Sequence, residues 1–336
     1  MNLLPQASGN RPRVACEISP NGVVTARSAQ ASSALGAVAR VELAEGAVVP
    51  GLKPGNVADR VAVIAAVRRA LEAVDAKPNS RNADVTLVIP DAAARVLLLD
   101  FDTLPTRQVD ALPLVRFRLK KLLPFDADEA AVSYQVMSTS RGLVRVLAVA
   151  MPRDVLSEYE SVVREAGFEP GAVLSSTLAA LAVLDGEGTS LLVNANGAGV
   201  TAAIVQGGVL LLHRSVDLQD HAHNAYSAEE SDGGSSVAED TAHDLQRLPL
   251  SSEIAQAVSV AAAYFEDTLE TAPRVVLSAG ALGAEKLGRM LREEGVGPED
   301  GLAVRELVDS AALLSGATVS SVPRAWLSSV TGALRG

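Results

Sequence analysis

The amino-acid sequence predicts an α/β protein of two similarly built lobes, the first carrying a small inserted β-α-β-β subdomain. Three observations predict it. A meander of short strands joined by small-residue turns opens near residue 13, and the same pattern opens again near residue 190. Helical segments follow each meander, and a repeated meander with helices implies two lobes of like construction. The chain has 336 residues, 48% of them apolar, which suits two to three units of roughly 100–150 residues. The expected boundaries are 13–93 for the first lobe, 94–151 for the insert, 152–187 for a helical return to the first lobe, 188–322 for the second lobe and 323–336 for a terminal helix.

The elements follow in order. Residues 13–17 and 22–28 are β-branched runs around Ser19-Pro20-Asn21-Gly22, and Asn-Gly is a strong hairpin signal. A third strand is expected at 37–43. A helix is expected over 57–74, where Val57, Val61, Ile64, Leu71 and Val74 fall near one face. Residues 85–89 form an apolar strand ended by Pro90. The insert reads as a strand at 95–101, a helix at 106–122 stopped by Pro124, and strands at 131–137 and 143–150. Helices at 152–166 and 174–184 return the chain, the first with Asp154 near its start and Gly167 beyond its end, the polarity expected of caps.

The second meander runs through strands at 190–193, 200–205 and 209–215. Residues 219–248 are acidic, rich in Ser and Gly, and poor in large apolar side chains. Such a segment cannot bury enough surface to offset its ordering entropy, so a mobile loop is expected. A helix at 251–269, a strand at 274–278, a helix at 283–294, a short strand at 303–306 and a helix at 326–334 complete the chain.

Composition narrows the partners. Forty Asp and Glu against 29 Lys and Arg give a net charge of −11. An acidic chain has no electrostatic route to the nucleic-acid backbone and is repelled by an anionic bilayer. Nucleic acid is therefore excluded as a partner, and membrane contact is expected only through other proteins. The single cysteine, Cys16, cannot form an internal disulfide, which fits a reducing compartment. The N-terminus has neither the basic nor the long apolar region of a secretory signal, and the apolar run 143–151 is far shorter than the about 20 residues of a membrane helix. A cytoplasmic protein is expected.

Three loops bear on function: Val14-Ala15-Cys16-Glu17-Ile18-Ser19, Leu192-Val193-Asn194-Ala195-Asn196-Gly197 and Val276-Leu277-Ser278-Ala279-Gly280. They are similar to the two phosphate loops and the adenosine loop of the actin-like ATPase superfamily, a duplicated ribonuclease H-like fold. The stretch 112–134, in which a helix ends in Pro124-Phe125-Asp126 before an acidic turn and a strand with Tyr134, resembles the inserted subdomain of the type IV pilus assembly family PilM. The last seven residues, 330–336, are similar to that family's terminal helix. The resemblance implies an FtsA-like actin fold on the cytoplasmic side of the inner membrane. It also implies that the chain binds the short N-terminal tail of the inner-membrane protein PilN.

The resemblance further implies ATP with Mg²⁺ as cofactors, and the loops depart from what these require. A phosphate loop needs backbone N–H groups close to phosphate oxygens, which favours Gly, and a carboxylate to hold the metal. Here Glu17 replaces Asp and Ser19 replaces Gly in the first loop, and Asn194 and Asn196 make the same replacements in the second. Gly197, Gly199 and Thr201 are kept there. In the adenosine loop Ala279 replaces the first Gly and Gly280 is kept. The changes argue against hydrolysis and leave nucleotide binding open at Glu17, Ser19, Asn194, Asn196, Gly197, Thr201 and Gly280.

Other polar clusters carry less. His221, His223 and His243 lie in the acidic loop, where nothing fixes ligand geometry, so no metal site is expected. Asp126, Asp128 and Glu129 read as a charged turn. Arg116, Arg118 and Lys120, with Lys121, form a basic cluster in an acidic protein beside Phe125. Arg116, Arg118, Lys120 and Phe125 are the expected partner-binding residues. Residues 2–5, Asn-Leu-Leu-Pro, resemble the Ile-Asn-Leu-Leu-Pro tail by which PilN docks, so self-association through residues 1–5 is a further expectation. The expected function is a PilM-like scaffold of pilus assembly. The alternatives are an active actin-like or sugar-kinase-like phosphotransferase and a cytoplasmic GspL-like protein of type II secretion. An FtsA relative is disfavoured, because no basic apolar extension follows the terminal helix.

Overall fold

The computed structural model describes residues 12–29, 34–81, 83–140, 142–184, 188–196, 199–218, 247–271, 273–296, 302–309, 313–319 and 322–335. Its two main sheets repeat one plan. In the first, β1 (Val14–Ser19), β2 (Gly22–Ser28) and β3 (Leu35–Val41) form an antiparallel meander, and β4 (Asp84–Ile89) adds parallel to β1. In the second, β9 (Thr189–Ala195), β10 (Gly199–Gln206) and β11 (Val209–Asp217) form the meander, and β12 (Val275–Gly280) adds parallel to β9. A fifth strand lies parallel beyond the fourth in each: β8 (Glu169–Ser175) in the first and β13 (Ala303–Glu306) in the second. The shared order third-second-first-fourth-fifth is the duplication that the sequence pattern predicts.

The central strands β1 and β9 are buried almost throughout because both faces of each sheet are covered. On the first sheet, α1 (Arg60–Ala73) and α3 (Arg153–Glu165) cover one face, with Val63, Val67, Leu71, Val155 and Tyr159 in the core. Asp59 caps α1 by accepting from the Ala62 N–H at 3.0 Å. Gly167, at φ +94°, ends α3 in the left-handed conformation, and the Gly167 and Phe168 N–H groups close back onto Arg164 and Val163. On the second sheet, α5 (Arg247–Leu269) and α6 (Ala284–Glu293) cover the outer face.

Between the sheets lie α4 (Ser176–Leu181) and the terminal α7 (Ser328–Ala333), which a 3-10 turn at Arg324–Leu327 introduces. The two helices cross so closely that a Cβ at Gly332 would stand 1.8 Å from the Ala179 carbonyl oxygen. The insert consists of β5 (Arg95–Phe101), α2 (Gln108–Leu119), β6 (Ala130–Ser140) and β7 (Leu143–Pro152), with sheet order β5-β7-β6. Met137 and Leu147 of its sheet share one core with Leu178 and Leu181 of α4 and Leu192, Ala203 and Leu210 of the second lobe.

Two strands and one helix boundary differ from expectation. Residues 169–175 form β8, where no strand is expected from the sequence and a helix is expected to begin at 174. Glu169-Pro170-Gly171 masks the strand, and as an outer strand paired only with β4 it tolerates Pro and Gly. Strand β14 (Leu313–Val319) lies in the range assigned to the second lobe and pairs in parallel with β3 of the first sheet. Helix α5 starts at Arg247, within the range expected as loop. The rest of that loop, 219–246, lies outside the described residues, and so do His221, His223, His243 and residues 1–5. None of the helices among the described residues is long and apolar enough to cross a membrane.

Candidate functional site

The two meanders bring their first hairpins face to face. In the first, Ser19 pairs with Gly22 across the turn and its Oγ donates to the Gly22 carbonyl at 2.9 Å. Ser19 is thus occupied in its own turn. At the tip, Asn21 Nδ2 donates to the Asn196 carbonyl oxygen of the second hairpin at 2.8 Å. Among the described residues, this is the hydrogen bond that spans the gap between the two turns. Gly197 lies outside the described residues.

Behind these turns runs a buried polar seam. Ser176 Oγ, at the start of α4, donates to Glu17 Oε1 of β1 at 2.8 Å and lies 2.9 Å from Ser329 Oγ of α7. Asn194 Nδ2, at the end of β9, donates to Ser176 Oγ at 3.0 Å and to Thr177 Oγ1 at 2.9 Å. Thr177 donates its backbone N–H to Asp91 Oδ1 at 3.0 Å and its hydroxyl to Oδ2. Thr201 Oγ1, opposite Asn194 in the β9–β10 register, donates to Asp91 Oδ2 at 3.0 Å and contacts Ser215 Oγ at 2.8 Å. Each hydroxyl proton has one acceptor in this arrangement, so the bonds run as one continuous chain from Glu17 to Ser215. The seam joins both sheets through α4.

Its electrostatics follow from burial. Desolvation pushes the Glu17 carboxyl up to about 7; the Ser176 and Ser329 hydroxyls offset part of this, and the Asp91 charge adds to the rise. Burial likewise holds His213 of β11 below the usual imidazole range, against the pull of the Asp91 charge. Cys16, beside Glu17, is buried, and its thiol is pushed far up by burial.

Gly280 has a geometric role. At φ +83°, it ends β12 against β9, where a Cβ would stand 2.4 Å from the Ala195 carbonyl oxygen and 2.5 Å from Asn194 Oδ1. Glycine is needed for that approach of two strand ends. Asn194 Oδ1 itself is buried and finds no hydrogen-bond partner among the described residues.

Above the hairpin tips a cleft of about 620 Å³ remains open between the lobes, lined among others by Asn21, Arg40, Glu42, Lys286, Leu282 and Trp326. The Arg40 guanidinium lies over the Trp326 ring, 4.0 Å from its centroid.

These residues do not fit a metal nucleotide. A metal needs carboxylate oxygens free to ligate, whereas Asp91 accepts three hydrogen bonds within the seam. Glu17 is held in a carboxyl that releases its proton only near neutrality, and Asn194 turns donor protons inward. A phosphate between the turns would also need the Asn21–Asn196 bond to open. Among the described residues no group of three or more His, Cys, Asp or Glu could hold a metal ion.

Sequence reasoning singled out Glu17, Asn194, Asn196 and Thr201, and the structure brings them to one place. It missed Asp91, Ser176, Thr177 and Ser329. The only signal was a Pro-Asp after a strand and a Ser-Ser-Thr run before a helix.

In the insert, the expected partner-binding residues have contacts of their own. Arg116 Nη1 donates to the Ala127 and Ala130 carbonyls at 2.5 and 3.1 Å, and Lys120 pairs with Asp128 at 2.5 Å. Arg118 donates to the Asp100 carbonyl at 3.0 Å and lies over the Phe101 ring. Phe125 packs on the insert core and lines a second cleft of about 430 Å³ whose rim includes Asp126, Asp128, Glu129 and Asp154. The feature that the basic cluster obscured is apolar. Of the ten exposed large hydrophobic residues described, six lie in the insert: Val109, Leu114, Phe117, Leu122, Val136 and Leu143. Val109 and Phe117, eight residues apart on α2, are 72% and 65% exposed. That concentration marks the insert as the face most in need of a cover.

No protein-family model matches the chain, and no curated protein matches its sequence. Solved structures do. A chain of the PilM-PilN type IV pilus biogenesis complex superposes with a TM-score of 0.68 at 16% identity, covering 96% of this chain and 98% of that one. More distant are the ethanolamine utilization protein EutJ from Carboxydothermus hydrogenoformans (TM-score 0.47, 14% identity, 100% and 92% covered) and the cytoplasmic domain of EpsL, an inner-membrane component of the type II secretion system of Vibrio cholerae (TM-score 0.40, 14% identity, 68% and 85% covered). The fold is the actin-like one, in the form seen in the PilM-PilN complex.

Proposed function

We propose that this protein is a PilM-like scaffold of type IV pilus assembly, which binds the N-terminal tail of a PilN-type inner-membrane protein at the cytoplasmic face and works without efficient ATP hydrolysis. The observation that carries the reading is the extent of the structural likeness, which spans nearly the whole of both chains, insert included. Two features of the chain support it. The exposed apolar side chains gather on the insert, as a docking platform requires. The carboxylates between the lobes are engaged with each other's neighbours rather than turned toward the cleft, which weighs against a phosphotransferase.

Contact with the membrane then comes through the partner, and a net charge of −11 fits a chain that does not seek the bilayer itself. Residues 1–5 carry the same Asn-Leu-Leu-Pro chemistry as the proposed ligand, so a neighbouring copy's N-terminus competes with the tail.

Calorimetric titration with a synthetic peptide of a PilN-type tail containing Ile-Asn-Leu-Leu-Pro tests this. Saturable binding is expected, tightened when residues 1–10 are removed. Absence of binding at several hundred micromolar, together with phosphate release from Mg·ATP at a working kinase's rate, would overturn the scaffold reading in favour of the phosphotransferase. Unchanged affinity after removal of residues 1–10 would reject the self-competition alone.

A further inference from the structure

Among the described residues, three of the contacts that join the two lobes lie along the cleft and are made entirely by the chain itself. At the tips, the Asn21 side chain reaches the Asn196 carbonyl at 2.8 Å, across 175 residues of sequence. Below, the seam runs from Glu17 of the first sheet through Ser176 and Thr177 to Asn194 of the second, and Asp91 links Thr177 to Thr201. At the base, α4 and α7 cross at Ala179 and Gly332 with no room for a Cβ between them.

A metal nucleotide seated between two such hairpins would act as their bridge. Its phosphate oxygens would each need a backbone N–H at about 2.9 Å, which holds the turns more than one hydrogen bond apart. Here that position holds a direct bond between the turns. The seam's hydroxyl protons are all directed to acceptors within it, so binding a metal there would first break bonds whose buried partners have no water to turn to.

We infer that these side chains stand in the place of a metal nucleotide and latch the two lobes together, so that the closed arrangement of this protein does not depend on Mg·ATP. The hairpin bond is the outer bolt and the seam the inner one. The presented surface is then constant, with no nucleotide cycle to open and close it.

Hydrogen–deuterium exchange on the full chain, read over peptides covering 14–28 and 189–206, tests the latch directly. With 5 mM Mg·ATP or Mg·ADP the wild-type rates are expected to stay within twofold of those without nucleotide, and the thermal midpoint within about 1 °C. A ligand at a hundred times its Kd shifts the midpoint by several degrees. Asn21→Ala removes the outer bolt at a half-buried turn and is expected to raise exchange in both hairpins about fivefold, the loss of one hydrogen bond, while the core peptide over 60–73 keeps its protection. Thr201→Ser, which keeps the hydroxyl that donates to Asp91, is expected to exchange as wild type. The latch is overturned if Mg·ATP slows hairpin exchange more than tenfold, or if Asn21→Ala leaves both hairpins as protected as before. Tail-peptide binding is read separately, so the scaffold reading can fail while the latch stands, and the reverse.

Discussion

Glu17→Gln is the sharpest probe of the seam. The carboxyl ordinarily titrates at 4.5 and is pushed up to about 7 in the folded protein. Held over that interval, the difference amounts to about 3 kcal/mol. Its sign follows from proton binding. The folded protein keeps the proton to a higher pH than the unfolded chain, so the Glu17 contribution is most favourable below 4.5, is lost progressively up to about 7, and is level above it. Glutamine removes the titration and keeps Oε1 as acceptor for the Ser176 hydroxyl, though its new N–H₂ brings a cost of about 1–3 kcal/mol where no acceptor meets it. That cost is the same at every pH. Urea unfolding of wild type and variant at pH 4.5 and pH 8 therefore isolates the titration. The variant's stability relative to wild type is expected to improve by about 3 kcal/mol between the two pH values, whatever its absolute level. An improvement under about 1 kcal/mol would refute the claim that Glu17 is buried without a compensating charge.

Other perturbations read other parts of the fold. Gly332→Ala places a methyl 1.8 Å from the Ala179 carbonyl oxygen and is expected to cost about 3 kcal/mol or more, seen as a lowered urea midpoint, because two helices must part. Gly280→Ala adds a strained φ of +83° to a 2.4 Å clash with the Ala195 carbonyl oxygen and is expected to lower the thermal midpoint by several degrees. Phe117→Glu, at a side chain 65% exposed, is expected to leave the midpoint within about 2 °C and to weaken tail-peptide binding tenfold or more if the apolar face of α2 takes part. The Cys16 thiol, buried and pushed far up, is expected to resist alkylation at pH 8 in the native protein and to react at once in 6 M guanidinium.

The duplication was legible because its signals are local. Apolar runs of five to seven residues, an Asn-Gly turn and small-residue turns suffice to mark a meander, and both meanders formed where those signals stood. Strand β8 was illegible because edge position, which only the assembled sheet defines, is what makes Pro170 and Gly171 tolerable there. The seam was half legible. Replacement of acids at Glu17 and Asn194 could be read from the loops, but the bond that gives Glu17 its partner spans 159 residues and the Ser176–Ser329 contact spans 153. No periodicity encodes such pairs, and Ser175-Ser176-Thr177 reads locally as a helix start. The contacts of the basic cluster at the end of α2 were illegible for a related reason. Sequence shows that Arg116 and Lys120 are cations, and only coordinates show that one is tied to two carbonyls and the other to Asp128.

The position of the insert ties these findings to one another. By sequence it interrupts the first lobe, and its outer face carries the exposed apolar residues of α2. Its inner sheet packs on the second lobe, with Met137 and Leu147 against Leu192 and Ala203, and Arg95 reaches Asp217 of β11 at 3.7 Å. A hinge motion of the lobes would therefore have to shear this shared core as well as open the hairpins. Cores of this kind resist continuous deformation and change only between discrete packings. A chain that joins its lobes both by side chains beside the cleft and by an insert packed on the second lobe is built to hold one shape. For a docking platform that is the useful property, since a preformed apolar face binds a tail without first bearing the cost of ordering itself.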